Sequence, residues 1–262
     1  MIVTLLTDFG TADYFVGAMK GVLLSRDPRI APVDLTHDIP AHDVHAAAFT
    51  LLAAYGCFPR GTVHVAVVDP GVGSRRRPIA VEAGGHRFVG PDNGLFGWVM
   101  EREGDARVVH LTREAHFRTP VSATFHGRDV FAPVAAALAA GTPLEALGDP
   151  VDDAVRLSPL RPARREDGTV EGSVLHVDHF GNCVTNLTRA DLPGSEEGRL
   201  KLVLNGTRIR ALRRFYADGE DGTAEPFAIW GSAGFLEVVI FRDSAARRLG
   251  VHRGDAVTAA VG

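Results

Sequence analysis

Over the first 140 residues, short apolar runs alternate with helically spaced segments, and this alternation narrows the fold more than any other feature. Residues 2–7 form an apolar run broken by Asp8-Phe9-Gly10-Thr11. Residues 14–25 then place Phe15, Met19, Val22 and Leu23 at helical spacing. Residues 31–35 read as a strand, and Asp43 suits the N-cap of a helix over 44–55 that ends near Gly56. A buried-looking strand over 62–68 is stopped by Asp69-Pro70-Gly71, and runs at 79–82 and 86–89 flank Ala83-Gly84-Gly85 as a hairpin. Asp129 is expected to begin an alanine-rich helix ending at Gly141, with Pro133 tolerated in its first turns. Alternation of this kind predicts a layered α/β domain, residues 1–160, around a central, mostly parallel sheet.

Residues 141–170 carry prolines at 143, 150, 159 and 162 and no sustained period, as a linker would. Beyond them, strands are expected at 172–177, 183–187, 200–204, 208–212, 227–230 and 236–241. Asn205-Gly206 is a two-residue hairpin signal between two of these. Short strands with frequent turns predict an all-β, barrel-like domain over residues 170–262.

Charge excludes some function classes. With a net charge of −4 and only two lysines, Lys20 and Lys201, the chain has no phosphate-tracking surface, so no nucleic-acid partner is expected. Cys57 and Cys183 stand apart without metal-binding spacing, which fits a reduced, cytoplasmic protein. Asp8 interrupts the first apolar run and no cationic leader precedes it. No stretch reaches the roughly 18 apolar residues of a membrane span, so neither a secretory signal nor a membrane partner is expected.

Two glycine-rich turns beside hydrophobic segments hold the chemistry: Val67-Val68-Asp69-Pro70-Gly71-Val72-Gly73-Ser74-Arg75-Arg76 and Thr124-Phe125-His126-Gly127-Arg128-Asp129. Together they offer a carboxylate, a guanidinium and an imidazole, a set that can orient a water molecule and take its proton. Asp69 follows a buried strand, so its carboxylate should emerge at the strand's C-terminal end, where open α/β sheets bind ligands. The alternative is that it only satisfies amides of its own turn. Gly71 and Gly73 lead into a strand instead of a helix, which argues against a nucleotide-phosphate loop. His37, Asp38, His42, Asp43 and His45 offer metal-ligand side chains, but Pro40 breaks the segment and no fixed ligand spacing occurs, so no metal is expected. Asp8 suits ribose hydroxyls, Asp13 a helix cap, and Asp178-His179-Phe180-Gly181-Asn182 a tight polar turn between strands.

In this order the pieces resemble the S-adenosyl-L-methionine (SAM) hydrolases that form adenosine, also called SAM hydroxide adenosyltransferases, relatives of the SAM-dependent fluorinase and chlorinase. The resemblance rests on Leu6-Thr7-Asp8-Phe9-Gly10, Val16-Gly17-Ala18-Met19-Lys20-Gly21, Asp34-Leu35-Thr36-His37-Asp38-Ile39-Pro40, the two turns above, Gly90-Pro91-Asp92-Asn93-Gly94, residues 176–186 and Gly231-Ser232-Ala233-Gly234-Phe235-Leu236-Glu237. It implies a water-activating set of Asp69, Arg76 (in place of Arg75) and His126. The halogenases differ at the first and last of these positions. The resemblance also places Asp8 on the ribose hydroxyls, Asp13 and Asp178 near the methionine, Asn182 at the adenine and His42 near the nucleoside. Ser232 and Glu237 carry over as substrate contacts, although Ala233 stands where the halogenases have arginine.

The implied reaction is displacement of methionine from ribose C5′ by water, with SAM as substrate and no cofactor or metal. His126 is expected to accept the water proton, Arg76 to stabilise developing hydroxide and Asp69 to position both. A homotrimer with active sites between subunits is also implied. Three alternatives are a SAM-dependent halogenase, a non-catalytic SAM or adenosine sensor, and a metal-dependent hydrolase built on His37, His42 and His45.

Overall fold

A computed structural model describes residues 1–195, 200–219 and 224–262. The chain divides into two compact units, Met1–Ser158 and Pro159–Gly262.

The first unit is built on β1 (Ile2–Thr7), β2 (Ala31–Thr36), β3 (Val63–Val67), β4 (Pro78–Ala83), β5 (His86–Pro91), β6 (Arg107–Leu111) and β7 (Gly148–Pro150). Its helices are α1 (Phe15–Arg26), α2 (Val44–Ala54), α3 (Gly97–Glu103) and α4 (Ala132–Ala139). The sheet order is β2-β1-β3-β5-β4-β6-β7. The run β2-β1-β3-β5 is parallel, and the remaining pairings are antiparallel. Every residue of β3 is buried, the pattern of a strand covered on both faces. Val63, Val65 and Val67 pack with Met19 and Leu23 of α1 and Val134 and Leu138 of α4 in one core. His64, between them in sequence, faces Tyr55 just beyond α2 on the other side. There, His64 Nδ1 lies 2.8 Å from Thr4 Oγ1 and Nε2 lies 3.3 Å from His86 Nδ1. Burial pushes the His64 pKa down to about 3.

Asp43 caps α2 as expected, accepting from Ala46 N–H at 2.9 Å. Two other expected caps do different work. Asp13 is exposed, and no side chain caps α1, whose N-cap is Tyr14. Asp129 is fully buried, binds the Arg128 guanidinium through both oxygens and accepts from Ser122 N–H at 2.9 Å. A turn of π-helix, Gly127–Phe131, precedes α4, so Pro133 falls in the first turn of that helix. The proline-rich stretch after residue 141 is not all irregular, since β7 pairs with β6 at the sheet edge.

The second unit consists of β8 (Ala163–Arg164), β9 (Val170–Val177), β10 (Cys183–Thr188), β11 (Leu200–Leu204), β12 (Thr207–Ile209), β13 (Leu212–Arg213), β14 (Phe227–Trp230), β15 (Phe235–Val239), β16 (Ala256–Val261) and helix α5 (Ala245–Leu249). Their order is β12-β11-β16-β9-β10-β15-β14-β13, with β8 on β9. β9 turns the sheet: residues 170–173 pair with β16, whereas partners of β10 begin at Val174. The result is a curled half-barrel around Val174, Leu187, Leu202, Leu236 and Val257. Asn205 and Gly206 both have positive φ (47° and 75°), as a tight two-residue hairpin requires. Asn205 Nδ2 also donates to the carbonyls of Leu249 (3.0 Å) and Gly250 (3.2 Å), closing the C-terminal end of α5. The single strand expected over 208–212 is two short strands, because β12 pairs with β11 and β13 with β14.

Candidate active site

β1 and β3 are adjacent and parallel, with Thr7 opposite Val67, so Asp8 and Asp69 leave the same C-terminal edge of the sheet. β5 runs in the same sense and delivers Asn93, whose Nδ2 donates to Val68 O at 2.8 Å and steadies the chain just before Asp69. Ligands of open α/β folds collect at such an edge.

The chain then doubles back. Gly73 has φ +76°, and a Cβ on it would lie 2.4 Å from Ala123 O. The position therefore needs glycine for both its backbone angle and the close approach of the 122–126 loop. That approach joins the two motifs. Arg76 Nε donates to Asp69 Oδ1 at 2.8 Å, and Nη2 donates to Oδ2 and also to His126 Nδ1, the latter at 2.8 Å. The ring of Phe131 supports the cluster, with Arg76 Cζ 5.3 Å from its centroid and His126 packed edge-on. Both charged side chains are nearly buried, at 9% exposure for Arg76 and 5% for Asp69. Arg76 Nη1 is buried with no hydrogen-bond partner among the described residues. Arg75, next in sequence, points to solvent.

A guanidinium only donates, so His126 Nδ1 holds the lone pair and Nε2 holds the proton of the neutral ring. Burial lowers the His126 pKa most, the Arg76 charge lowers it further, and Asp69 and Asp129 oppose both.

Asp8, 8% exposed, accepts the backbone N–H of His42 at 2.8 Å. His42 is held there at φ +67°, an unusual angle for a residue with a side chain, and its imidazole is exposed. Asp8 and His42 are thus brought together, whereas Asp13 stands in solvent. Of the histidine and carboxylate cluster, Asp43 caps α2 and His37 is bonded to Thr7 Oγ1 at 2.8 Å. Among the described residues no three His, Cys, Asp or Glu side chains are grouped as a metal site needs.

The second unit by itself holds a cleft of about 960 Å³ lined by Asp178, Asn182, Ser232 and Glu237, with Phe180 and Tyr216 beside them. Asp178 is committed to its own turn: Oδ1 accepts from Phe180 N–H (2.9 Å) and Asn182 N–H (2.8 Å), and Oδ2 from Asn182 Nδ2 (2.8 Å). Its direct effect is to orient Asn182. Glu237 lies under Gly231, where a Cβ would meet Oε1 at 1.8 Å. Burial raises its pKa, while a bond from Tyr216 Oη at 3.2 Å opposes the rise. Tyr216, Phe131 and Asn93 were not among the expected residues. Their side chains matter through partners distant in sequence; Asn93 lies in the Gly90–Gly94 stretch of the family resemblance, whereas no local motif marks Tyr216 or Phe131.

A hydrogen-bonded acid, guanidinium and imidazole at the C-terminal edge of the parallel strands of an α/β unit, in one chain with a curled β unit that holds a polar cleft, define a class of two-unit enzymes. The chain belongs to the SAM hydroxide adenosyltransferase family. The family's N-terminal domain matches residues 3–148 and its C-terminal domain residues 172–258. A protein named (R)-S-adenosyl-L-methionine hydrolase from Thermus thermophilus is 43% identical over 258 residues, covering 95% of each chain. A solved structure, described as an uncharacterized conserved protein from Thermotoga maritima, superposes with a TM-score of 0.89 at 34% identity, covering 99% of this chain and 100% of that one. A protein named fluorinase from Actinoplanes sp. is 29% identical over 234 residues, 78% of each chain.

Proposed function

We propose that the chain hydrolyses S-adenosyl-L-methionine to adenosine and L-methionine by SN2 attack of water-derived hydroxide at ribose C5′. The observation that carries this reading is the Asp69–Arg76–His126 cluster with one guanidinium nitrogen, Nη1, buried and without a hydrogen-bond partner among the described residues. Such a donor suits developing hydroxide. The leaving group is a neutral thioether, so the proposal requires neither cofactor nor metal. The nucleophile is the difficulty, since bulk water has a pKa of about 15.7.

The hydrogen-bond directions refine the roles. His126 accepts the water proton only as it gives up its bond from Arg76, because a protonated ring and a guanidinium are both donors. That exchange frees Nη2–H for the developing hydroxide while Nε stays on Asp69. Asp8 and His42 are assigned to the ribose end, and Asp13 is kept near the methionine. Asp178 is assigned to the methionine through its turn, Asn182 to the adenine, and Ser232 and Glu237 to the remaining polar contacts.

Asp69 and His126 favour hydroxide over halide, in line with the lower identity to the fluorinase. We assign the protein to the cytoplasm as a homotrimer with active sites at subunit interfaces. No helix among the described residues is long and apolar enough to cross a membrane. Light scattering checks the trimer.

The deciding experiment incubates the protein with SAM in ¹⁸O-labelled water, without halide and with chelator. Adenosine carrying one ¹⁸O, together with methionine, is the expected result. Saturable SAM binding without turnover would overturn hydrolysis in favour of a sensor.

A further inference from the structure

A second polar chain, outside the water-activating cluster, runs beneath Asp8. Phe9 N–H donates to Thr7 Oγ1 at 3.2 Å, and the same oxygen lies 2.8 Å from His37 Nδ1. Across the ring, His37 Nε2 faces Asp34 Oδ1 at 3.0 Å, off the ideal hydrogen-bond line. Lys20 Nζ donates to Asp34 Oδ2 at 2.6 Å. Thr7 is fully buried and His37 is 4% exposed, so water does not compete for the bond between them, whereas Lys20 and Asp34 at the outer end are partly exposed.

Chemistry fixes the directions. Ammonium and backbone N–H groups only donate, and a carboxylate only accepts. The Nε2 beside Asp34 therefore carries hydrogen, and the buried Thr7 hydroxyl, already accepting from Phe9, donates to Nδ1. His37 also accepts Gly10 N–H at 2.8 Å through its backbone carbonyl. One residue thus grips both ends of the 7–10 turn, Thr7 by its side chain and Gly10 by its main chain. Asp8 lies between those two grips.

We propose that His37 is a positioning residue for Asp8, and that its hydrogen bond with Thr7 sets the enzyme's discrimination for the ribose hydroxyls. The proposal rests on the reading that Asp8 receives those hydroxyls. Lys20 and Asp34 supply the orientation: they hold the Nε2–H outward, so that Nδ1 stays an acceptor.

The test compares wild type with Thr7→Val, His37→Leu and His37→Asn. Each is measured for affinity for adenosine and for 2′,3′-dideoxyadenosine, and for KM and kcat with SAM. Valine keeps the shape of threonine without the hydroxyl, and the asparagine Oδ1 can accept where Nδ1 does. Thr7→Val and His37→Leu are expected to weaken adenosine binding and raise KM by roughly tenfold, the scale of a lost buried hydrogen bond. Dideoxyadenosine affinity and kcat should barely move, so the preference for the hydroxylated ligand collapses, while His37→Asn keeps most of it. Preference retained in both variants, or equal weakening of both ligands, overturns the proposal alone. A wild type indifferent to the hydroxyls overturns the reading of Asp8 and this proposal with it. If Thr7→Val does not fold, His37→Leu against His37→Asn decides.

Discussion

Because a guanidinium donates from three nitrogens in one plane, Arg76 can hold Asp69 through Nε and Nη2 while Nη2 also reaches His126. Lysine has neither the fork nor the reach, so Arg76→Lys should lose most turnover despite keeping the charge. His126→Ala should lower kcat by about 10²- to 10⁴-fold with little change in SAM affinity, the usual cost of a missing general base. Single-turnover rates check both, and near-wild-type rates in His126→Ala would remove the base. The pH profile gives a sharper reading. A base must be unprotonated, so turnover falls as pH drops through the His126 pKa, which burial and Arg76 hold below the ordinary 6.5. Asp69 raises that value, so Asp69→Asn should move the acid limb to still lower pH as it reduces the maximum rate. A limb that moves upward would contradict the assignment. Local sequence offered Asp69 and His126 as polar groups in glycine turns, but the choice of Arg76 over Arg75 came from family resemblance. Only the doubling back at Gly73 explains it, since it turns one arginine inward and leaves its neighbour in solvent.

At the scale of elements, legibility followed burial. β1, β11 and β14 lie where their apolar runs predict, because such runs have one way to leave water. α3, β6, β7 and β16 were not foreseen. β7 is the clearest case: Gly148-Asp149-Pro150 has no strand propensity and is extended because it pairs with β6 at an edge. Asn205 shows the reverse, a residue legible for one role that carries two. Its hairpin role is written in Asn-Gly, whereas its bonds to Leu249 and Gly250 depend on a helix 40 residues later in the chain, a separation of roughly that order being invisible to local pattern. Asn205→Ala should therefore cost about 1–2 kcal/mol, combining left-handed strain with lost hydrogen bonds. Urea unfolding checks it. A loss within error of zero would mean that α5 is not held by the hairpin.

For the whole molecule, the buried His64 contributes to the response to acid. Its folded pKa, about 3, lies below the 6.5 of an exposed histidine, so the unfolded chain binds a proton that the folded one refuses. Its stabilising contribution is complete above pH 6.5 and is lost progressively as pH falls towards 3, by up to about 1.4 kcal/mol per pH unit. His86, also lowered by burial, adds to the same slope. Melting temperatures between pH 7 and 4 should fall steeply in wild type and less steeply in His64→Gln. Equal slopes would place acid sensitivity elsewhere.

The contact between Gly73 and the Ala123 carbonyl has a consequence for inheritance. Two stretches about fifty positions apart share one fitted surface, so they are free to vary only as a pair. A chimera taking the 69–76 turn of a distant relative should lose turnover unless it also takes that relative's 122–128 loop. The transferable module of this enzyme is therefore a pair of loops, which a contiguous cut of the gene carries only together with the strands β4, β5 and β6 and the helix α3 that separate them.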